Sequence, residues 1–375
     1  MALATPHLQH LQLTQFRSYT DLEIDLSPHI NCFTGPNGAG KTNILDAIHY
    51  LSFTRGFRHH QDRQAVQDGG QFFFIGGAWK KGKSVKQVHC NYMQGKGKKL
   101  LINQKAVERM SDHIGLMPLV AILPSDTDLI NGQSADRRRF LDMLISQYDH
   151  QFLHHLIHYE RVLQQRNALL KLMAENRRFD QEQLSLWDDQ LIPHGIAVKA
   201  GREDFLEAFS SVFASYFSEI VSDKETPKLQ YKSQLDGNTT ESWRNLLRDN
   251  LDKDRVNGYT VGGIHRDDLQ FHIDEHSVRN YGSQGQQKTF VIALKLAQYQ
   301  LLQEKTNLAP ILLLDDLFDK LDRHRLGQIS HLLQSRIQGQ IFITDTSEIR
   351  LREIFGESKR EVAYFSVLNS EVTVS

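Results

Sequence analysis

The sequence has little cysteine, no long apolar run and no excess of either charge. Only Cys32 and Cys90 occur among 375 residues, which excludes a disulfide scaffold and favours a reducing, cytoplasmic compartment. There is no run of about 18 apolar residues, so we expect no membrane-spanning helix. Residues 1–10 lack the pattern of a signal peptide, and we expect none. Lys and Arg number 44 against 45 Asp and Glu. A nucleic-acid partner would therefore need a local basic surface rather than net charge.

The order of sequence patterns predicts two lobes. A chain of 375 residues is long for one compact domain and short for three. Strand-like alternation over 7–26 is followed by helical spacing over 42–53, and strands and helices return after residue 228. Between 136 and 222, apolar residues recur at helical intervals, which indicates long helices packed as a hairpin. We predict an α/β lobe of residues 1–125 and 260–375, with a mostly helical insertion of residues 126–259.

A glycine-rich loop supplies the first chemical signal. Residues 35–42 match the pattern G-x-x-x-x-G-K-[ST], with a strand before the loop and a helix after it. Glycines let the backbone wrap a phosphate closely, and the following helix turns its positive end to the same phosphate. Lys41 should reach the β- and γ-phosphates, and the Thr42 hydroxyl should bind Mg²⁺. We therefore expect ATP and Mg²⁺ as cofactors. The expected nucleotide-binding residues are Gly35, Pro36, Asn37, Gly38, Ala39, Gly40, Lys41, Thr42 and Asn43.

A pair of acids after an apolar strand complements this loop. Residues 311–314 are all apolar and are followed by Asp315 and Asp316. Such a run predicts a strand that is buried on both faces, with the acids at its carboxyl end, where α/β sheets bind ligands. Asp315 would hold Mg²⁺ directly or through water, and Asp316 would orient or deprotonate the attacking water. Adjacent acids at a strand end also occur as ordinary loop residues. The long separation from Lys41 fits an insertion between two halves of one ATPase lobe.

A third segment narrows the expected class of ATPase. Residues 281–288 contain Ser283, Gly285 and Gln286 and resemble the S-x-G-Q signature of ABC ATPases. A Ser hydroxyl and Gly N–H groups at a helix start can bind an anion, although an ordinary capped helix has the same appearance. In ABC ATPases this site serves the γ-phosphate of the nucleotide bound by the partner subunit. The resemblance therefore implies an ATP-dependent homodimer.

Two further segments are similar to ABC motifs. Residues 318–322 resemble the D-loop, which implies that Asp322 faces the other subunit. Thr344 stands at the switch position, where transporter-type ABC ATPases usually have His. The resemblance implies a catalytic switch role for Thr344.

The remaining motifs resemble the RecF family along nearly the whole chain. They are Phe16-Arg17-Ser18-Tyr19, residues 51–58, residues 128–132, Arg137-Arg138-Arg139-Phe140-Leu141-Asp142, Gln165-Arg166-Asn167-Ala168, Trp187-Asp188 and residues 263–269. The resemblance implies an ABC-type ATPase that binds double-stranded and gapped DNA as an ATP-induced dimer. It implies weak, DNA-stimulated ATP hydrolysis that releases the DNA. It also implies RecO and RecR as partners, loading of RecA, and induction of the SOS response in recombinational repair.

The DNA contacts are harder to read from the sequence. Phosphate contacts dominate DNA affinity, so Lys and Arg are the candidates. The candidates are Arg55, Arg58, Lys80, Lys81, Lys96, Lys98, Lys99, Arg137, Arg138 and Arg139. Of these we hypothesise that Arg55, Arg58, Arg137 and Arg138 contact DNA. The lysine-rich turn at 96–99 is also typical of a solvated hairpin, and the Arg run could instead tie the lobes together.

Other interpretations fit the sequence less well. His154 and His158 have the spacing of metal ligands on a helix, but no third ligand follows the zinc-protease pattern, which favours surface or packing roles. An ABC transporter subunit would have the switch His and a shorter insertion. A non-hydrolysing clamp of the chromosome-organising type would have long heptad repeats, which this insertion lacks.

Overall fold

The computed structural model describes residues 5–57, 61–176, 178–221, 225–318 and 322–375. Their contacts divide the chain into two units. The first comprises Met1–Asp126, Glu219–Val221 and Ile292–Ser375, and the second comprises Thr127–Ser218 and Ser222–Val291. This division differs from the sequence-based boundary at residue 260, because residues 260–291 belong to the second unit.

The strands and helices follow one another in α/β order. The strands are β1 His7–Phe16, β2 Tyr19–Asp25, β3 Ile30–Thr34, β4 Phe72–Lys81, β5 Ser84–Met93, β6 Gly97–Ile102, β7 Lys105–Ala106, β8 Leu119–Ile122, β9 Pro227–Lys232, β10 Asp268–Ile273, β11 His276–Ser277, β12 Ile311–Asp315, β13 Ile341–Asp345, β14 Val362–Leu368 and β15 Glu371–Val374. The helices are α1 Lys41–Phe53, α2 Asp128–Asn131, α3 Ser134–Ser146, α4 His150–Asn176, α5 Gln181–Ile220, α6 Thr240–Asp249, α7 Leu251–Asn257, α8 Val278–Tyr281, α9 Gln284–Thr306, α10 Arg323–Ser335 and α11 Glu348–Phe355. Across the described ranges, no helix combines the length and apolar character needed to cross a bilayer.

A mostly parallel sheet forms the centre of the first unit. Its strand order is β15-β14-β3-β13-β12-β8, and β15 is the antiparallel edge. Strands β3, β12 and β13 are buried along their whole length, as parallel strands covered on both faces should be. The register pairs Asp315 with Thr344, and Thr344 with Phe33. The carboxyl ends of these three strands therefore lie level, at the edge where α/β sheets bind ligands.

Helix α1 lies between this sheet and an antiparallel sheet in the same unit. The second sheet has the order β2-β1-β4-β5-β6-β7, and α1 contacts strands of both sheets. The predicted helix buries its apolar residues, and the structure also buries Asp46, His49 and Ser52. A helix packed on two sides has almost no solvent face, so these polar side chains need partners inside the protein.

The second unit contains the predicted helical hairpin. Helices α4 and α5 run antiparallel, since His155 contacts His194 and Arg166 contacts Asp188. The predicted apolar face of α5 is confirmed by a run of buried Phe side chains whose rings contact one another. These are Phe205, Phe209, Phe213 and Phe217, each at most 3% exposed.

Non-local pairing explains why residues 260–291 belong to the second unit. Strand β10 pairs antiparallel with β9 over its full length. Arg137 of α3 forms an ion pair with Asp268 at the start of β10. Phe290 in α9 packs against the rings of Phe213 and Phe217. The return to α/β patterning after residue 228 marks these strands in the sequence but not the unit to which they belong.

Candidate nucleotide-binding site

The loop between β3 and α1 requires glycine for steric reasons. Gly35 has φ 152°, and a Cβ there would lie 2.1 Å from the carbonyl oxygen of Val367. Gly40 has φ 111°, and a Cβ there would lie 2.8 Å from the Tyr19 hydroxyl. Any other side chain would clash and would also be strained at these φ angles. The loop therefore adopts a tight turn that leads directly into a helix N-terminus.

The start of α1 suits an anion. Gly40 precedes the helix without any side-chain cap, and the first turn contains no acidic residue. The positive end of the helix is therefore uncompensated by the protein. Lys41 is 4% exposed, and its Nζ donates to the carbonyl oxygens of Gly35 at 2.7 Å and Pro36 at 2.9 Å. These bonds hold the ammonium group over the loop that would enclose the phosphates.

The predicted residues of the loop, the acid pair and the switch position meet in one hydrogen-bond network. Thr42 Oγ1 donates to Asp315 Oδ1 at 2.8 Å, and Thr344 Oγ1 donates to the same oxygen at 2.8 Å. Thr344 Oγ1 also accepts from the backbone N–H of Asp316 at 3.0 Å. One buried hydroxyl therefore connects the two adjacent acids. Asp315 and Thr344 can form this hydrogen bond because they are paired at the carboxyl ends of β12 and β13.

The oxygen atoms of this network fit Mg²⁺. Mg²⁺ prefers hard oxygen ligands and is usually held by one or two carboxylates together with substrate phosphates and water. Thr42 Oγ1 and Asp315 Oδ1 offer such oxygens side by side. In the described part of the chain, no group of three or more His, Cys, Asp or Glu could hold a metal. A site completed by phosphate oxygens does not need such a group.

Asp316 has an unusual backbone conformation. Its φ is 46°, in the left-handed region that non-glycine residues rarely adopt. Such a residue costs roughly 1–3 kcal/mol and persists where its surroundings hold it, often at functional sites. The bond from Asp316 N–H to Thr344 is one such restraint. The role of Asp316 toward the attacking water stays a prediction.

The motif at residues 16–19 braces the loop in a way that sequence reasoning missed. Arg17 donates from Nη2 to the buried carboxylate of Asp46 in α1 at 2.7 Å. Tyr19 donates its hydroxyl to the Gly40 carbonyl at 3.2 Å. Asn43, predicted to contact the nucleotide, donates its amide to Ser18 Oγ at 2.9 Å. The sequence signal was the family motif itself, which carried no indication of these partners.

The signature segment forms a capped helix start in the second unit. Ser283 Oγ accepts from the backbone N–H of Gln286, and Gln286 Oε1 accepts from the backbone N–H of Ser283. Gly285 lies between them in the first turn of α9. This reciprocal pair is a capping box. The geometry satisfies both the ordinary cap and the anion-binding interpretation, so the role of Ser283, Gly285 and Gln286 toward a phosphate stays a prediction.

The segment compared with the D-loop is described only at its ends. Phe318 is buried, and Asp322 accepts from Arg325 N–H as the N-cap of α10. This backbone hydrogen bond lowers the pKa of Asp322. Residues 319–321 lie outside the described residues.

Two of the candidate DNA-contacting arginines form hydrogen bonds within the protein. Arg137 is 6% exposed, and each of its three nitrogens has an acceptor within the second unit: Asp268 or the carbonyls of Leu129 and Gly132. Arg138 donates from Nη1 to Ser134 Oγ and to the Asp267 carbonyl. These bonds argue against phosphate contacts by either residue. Both side chains instead tie α3 to the segment around β10.

The other basic candidates differ in exposure, with Lys80 partly buried in β4 and the Arg139 side chain 47% exposed. Lys98 donates to the Thr54 carbonyl and to Asp62 and is not a solvated turn residue. Lys81, Lys96 and Lys99 are exposed on the antiparallel sheet and its turns. Arg55 is half-buried, and Arg58 lies outside the described residues.

The two spaced histidines belong to a larger group. His154 and His158 lie with ring centroids 4.2 Å apart, and His194 of α5 stacks on His158. His155 Nδ1 lies 2.9 Å from His194 Nδ1. Burial and the neighbouring histidines lower the pKa of His194. His155 follows His154 in the same helix, whereas His194 lies on α5 and joins the group only through folding of the hairpin.

This architecture defines an ABC-type ATPase head with an inserted, mostly helical segment, as predicted. Residues 7–354 match the family model described as "RecF/RecN/SMC N terminal domain". The fold also matches the Smc head domain from Pyrococcus furiosus with a TM-score of 0.58 and 15% identity, covering 99% of this chain and 96% of that chain. That likeness concerns the fold alone.

Closer relatives identify the family. The DNA replication and repair protein RecF of Flavobacterium johnsoniae is 41% identical over 361 residues, which cover 96% of this chain and all of the relative. The protein of the same name from Phocaeicola vulgatus is 40% identical over 369 residues, which cover 98% of each. The solved recombination mediator protein RecF-ATP of the RecFOR pathway superposes with a TM-score of 0.90 and 26% identity, covering 100% of this chain and 99% of that chain. The chain belongs to the RecF family.

Proposed function

We propose that this chain is an ATP-dependent DNA-binding protein of recombinational repair. ATP and Mg²⁺ bind at the loop before α1, and two copies close around two nucleotides. The closed dimer binds duplex or gapped DNA at single-strand to double-strand junctions. With RecO and RecR it promotes loading of RecA and SOS induction in the cytoplasm. Slow ATP hydrolysis reopens the dimer and releases the DNA.

The observation that carries the nucleotide site is the network at the strand ends. Thr42, which follows Lys41 at the end of the glycine loop, and Thr344 both donate to Asp315 Oδ1. Lys41 would exchange its loop carbonyls for β- and γ-phosphate oxygens, while the start of α1 stabilises the phosphate charge. Bound Mg²⁺ would neutralise the charge that develops on the transferred phosphoryl group. Asp316, held by Thr344, would orient the attacking water.

The slow rate of ATP hydrolysis follows because each complete site needs residues from two subunits. The nucleotide loop and the acids lie in the first unit, and the signature lies in the second. In this proposal the signature of one copy completes the γ-phosphate site of the other, so a monomer lacks part of the catalytic machinery. The match to a solved RecF-ATP protein supports ATP as the nucleotide. The DNA-stimulated rate would then report closure of the dimer.

The proposed DNA surface is local and basic. Lys81, Lys96 and Lys99 are exposed on the antiparallel sheet, and Arg55 follows α1. Because the whole chain carries a formal charge of −1, DNA binding must depend on such clusters, and salt should weaken it strongly. Arg137 is left out of this surface because each of its guanidinium nitrogens donates within the protein, and Arg138 because its Nη1 donates to Ser134 and to the Asp267 carbonyl.

The experiment that tests the proposal is sedimentation velocity with Mg-ATP and with Mg-ADP. We expect the wild-type chain to dimerise with Mg-ATP alone. Lys41→Ala should stay monomeric, because it removes the contact to the β- and γ-phosphates. Lys83→Ala, which removes an exposed lysine from a turn of the same unit, is the matched control and should behave as wild type. A Lys41→Ala chain that still dimerised with Mg-ATP would contradict the proposed sandwich.

A further inference from the structure

The capping box of the signature helix fixes the direction of one hydroxyl. Ser283 Oγ accepts from Gln286 N–H at 3.2 Å, and Gln286 Oε1 accepts from Ser283 N–H at 2.9 Å. A serine hydroxyl has one donor and two acceptor positions. Since an acceptor position is used inside the helix turn, the O–H is the group that can point outward to a phosphate.

The carboxylate of Glu225, outside α9, accepts a hydrogen bond from this capping box. Gln286 Nε2 donates to Glu225 Oε1 at 2.8 Å. Glu225 lies just before β9, 61 positions earlier in the chain and in the same unit. The box is therefore connected to a second segment of the fold and is more than a local feature of α9.

Glu225 and the Ser283 N–H together set the orientation of the Gln286 amide. A side-chain amide has one acceptor oxygen and one donor nitrogen group, whereas a backbone N–H only donates and a carboxylate only accepts. Gln286 satisfies Ser283 N–H and Glu225 together in one orientation. A flipped amide would place oxygen against the carboxylate and NH₂ against the Ser283 N–H. Loss of Glu225 would leave only the Ser283 N–H to favour this orientation and would loosen the box.

The position of Glu225 has a cost that packing alone does not explain. Its second oxygen, Oε2, is buried and has no hydrogen-bond partner within the described parts of the chain. A buried acceptor without a donor lowers stability, and such groups in native proteins call for a specific explanation. An amide-orienting role requires a side chain with a strong acceptor at this place, and Glu225 provides it.

We propose that Glu225 is a positioning residue for the signature. It holds Gln286 so that Ser283 is oriented in advance to bind the γ-phosphate of a nucleotide on a second copy of the chain. This inference rests on the proposed ATP-dependent dimer. It adds a residue outside the S-x-G-Q segment to the γ-phosphate site.

Two variants and a control test this role. Glu225→Ala removes the acceptor, and Glu225→Gln removes the charge but keeps a carbonyl oxygen that can accept from Gln286. Glu275→Ala removes an exposed acid in the same unit. Hydrogen exchange at residues 283–287 is measured without nucleotide, and the dimer dissociation constant is measured by sedimentation velocity with Mg-ATP. Affinity of the monomer for a fluorescent ATP analogue reports on the separate Lys41 site.

We expect Glu225→Ala to exchange about tenfold faster at these amides and to dimerise about tenfold more weakly. Loss of a helix cap changes an equilibrium constant by roughly this factor. Its affinity for the ATP analogue should be unchanged, and both Glu225→Gln and Glu275→Ala should resemble wild type. Wild-type exchange and dimerisation in Glu225→Ala would overturn the inference. So would a Glu225→Gln chain as impaired as the Ala variant. A wild-type chain that stayed monomeric with Mg-ATP would instead refute the proposed dimer, and the phosphate role of Glu225 with it.

Discussion

Replacing Thr344 with valine tests whether its hydroxyl positions the catalytic acids. Valine keeps the shape of threonine but removes the donor to Asp315 and the acceptor for Asp316 N–H. Thr344 is fully buried, so an orphaned N–H costs about 1–3 kcal/mol. Asp315 Oδ1 keeps its bond from Thr42, so losing the Thr344 donor costs less than losing the acceptor for Asp316 N–H. We expect the first unit to lose about 2–4 kcal/mol of unfolding free energy in total.

The catalytic effect should separate from nucleotide binding. The bond that valine removes is one restraint on the left-handed backbone of Asp316. We therefore expect kcat for ATP hydrolysis to fall at least about tenfold, which corresponds to about 1.4 kcal/mol. The dissociation constant for ATP should stay within about twofold, because the Lys41 loop is untouched.

The control for this prediction is Thr344→Ser. Serine keeps the hydroxyl and loses one methyl group, which costs about 1 kcal/mol of stability but should preserve kcat. Urea unfolding, equilibrium nucleotide binding and steady-state hydrolysis are measured on all three chains. If Thr344→Val hydrolysed ATP at the wild-type rate while folded, the proposed role of the hydroxyl would be refuted.

Two further predictions concern stability. Burial lowers the pKa of His49 and His265 to about 4, below the unfolded value of about 6.5. Each histidine therefore contributes stability that is present above pH 6.5 and is lost as pH falls toward 4, by about 1.4 kcal/mol per pH unit. Urea unfolding between pH 7.5 and 5 should show a shallower loss in His49→Gln than in wild type, and equal slopes would contradict this account. Arg137→Met should destabilise the second unit by about 2–4 kcal/mol because it leaves Asp268 and two carbonyls without a partner. Arg139→Met, at a side chain 47% exposed, should cost less than about 1 kcal/mol, and similar losses in the two variants would show that Arg137 is not a structural ion pair.

The nucleotide loop could be predicted from the sequence because its chemistry is local. The glycines, Lys41 and Thr42 are contiguous, and the strand before them and helix after them have clear patterns. Asp315 follows an apolar run whose burial is equally local to the chain. The contact between Asp315 and Thr344, in contrast, could not be predicted from a local pattern. It depends on the register of β12 against β13, which no single segment encodes.

Other features could not be predicted because they depend on partners that lie far away in the sequence. The three arginines at 137–139 look like a DNA-binding run, but Arg137 pairs with Asp268, 131 positions later. The burial of α1 on both sides depends on a second sheet that the helical spacing of its own residues does not reveal. The boundary at residue 260 likewise missed the pairing of β10 with β9. Burial and charge partners across the chain are set by tertiary contacts rather than by local pattern.

The most direct test of the central claim is DNA binding as a function of the nucleotide. Fluorescent duplex and gapped DNA are titrated with the chain at low salt, and anisotropy is read with Mg-ATP in one arm and Mg-ADP in the other. We predict tight binding with Mg-ATP only, and loss of that binding in Lys41→Ala. Equal binding in both arms, or no binding in either, would contradict an ATP-closed dimer that holds DNA.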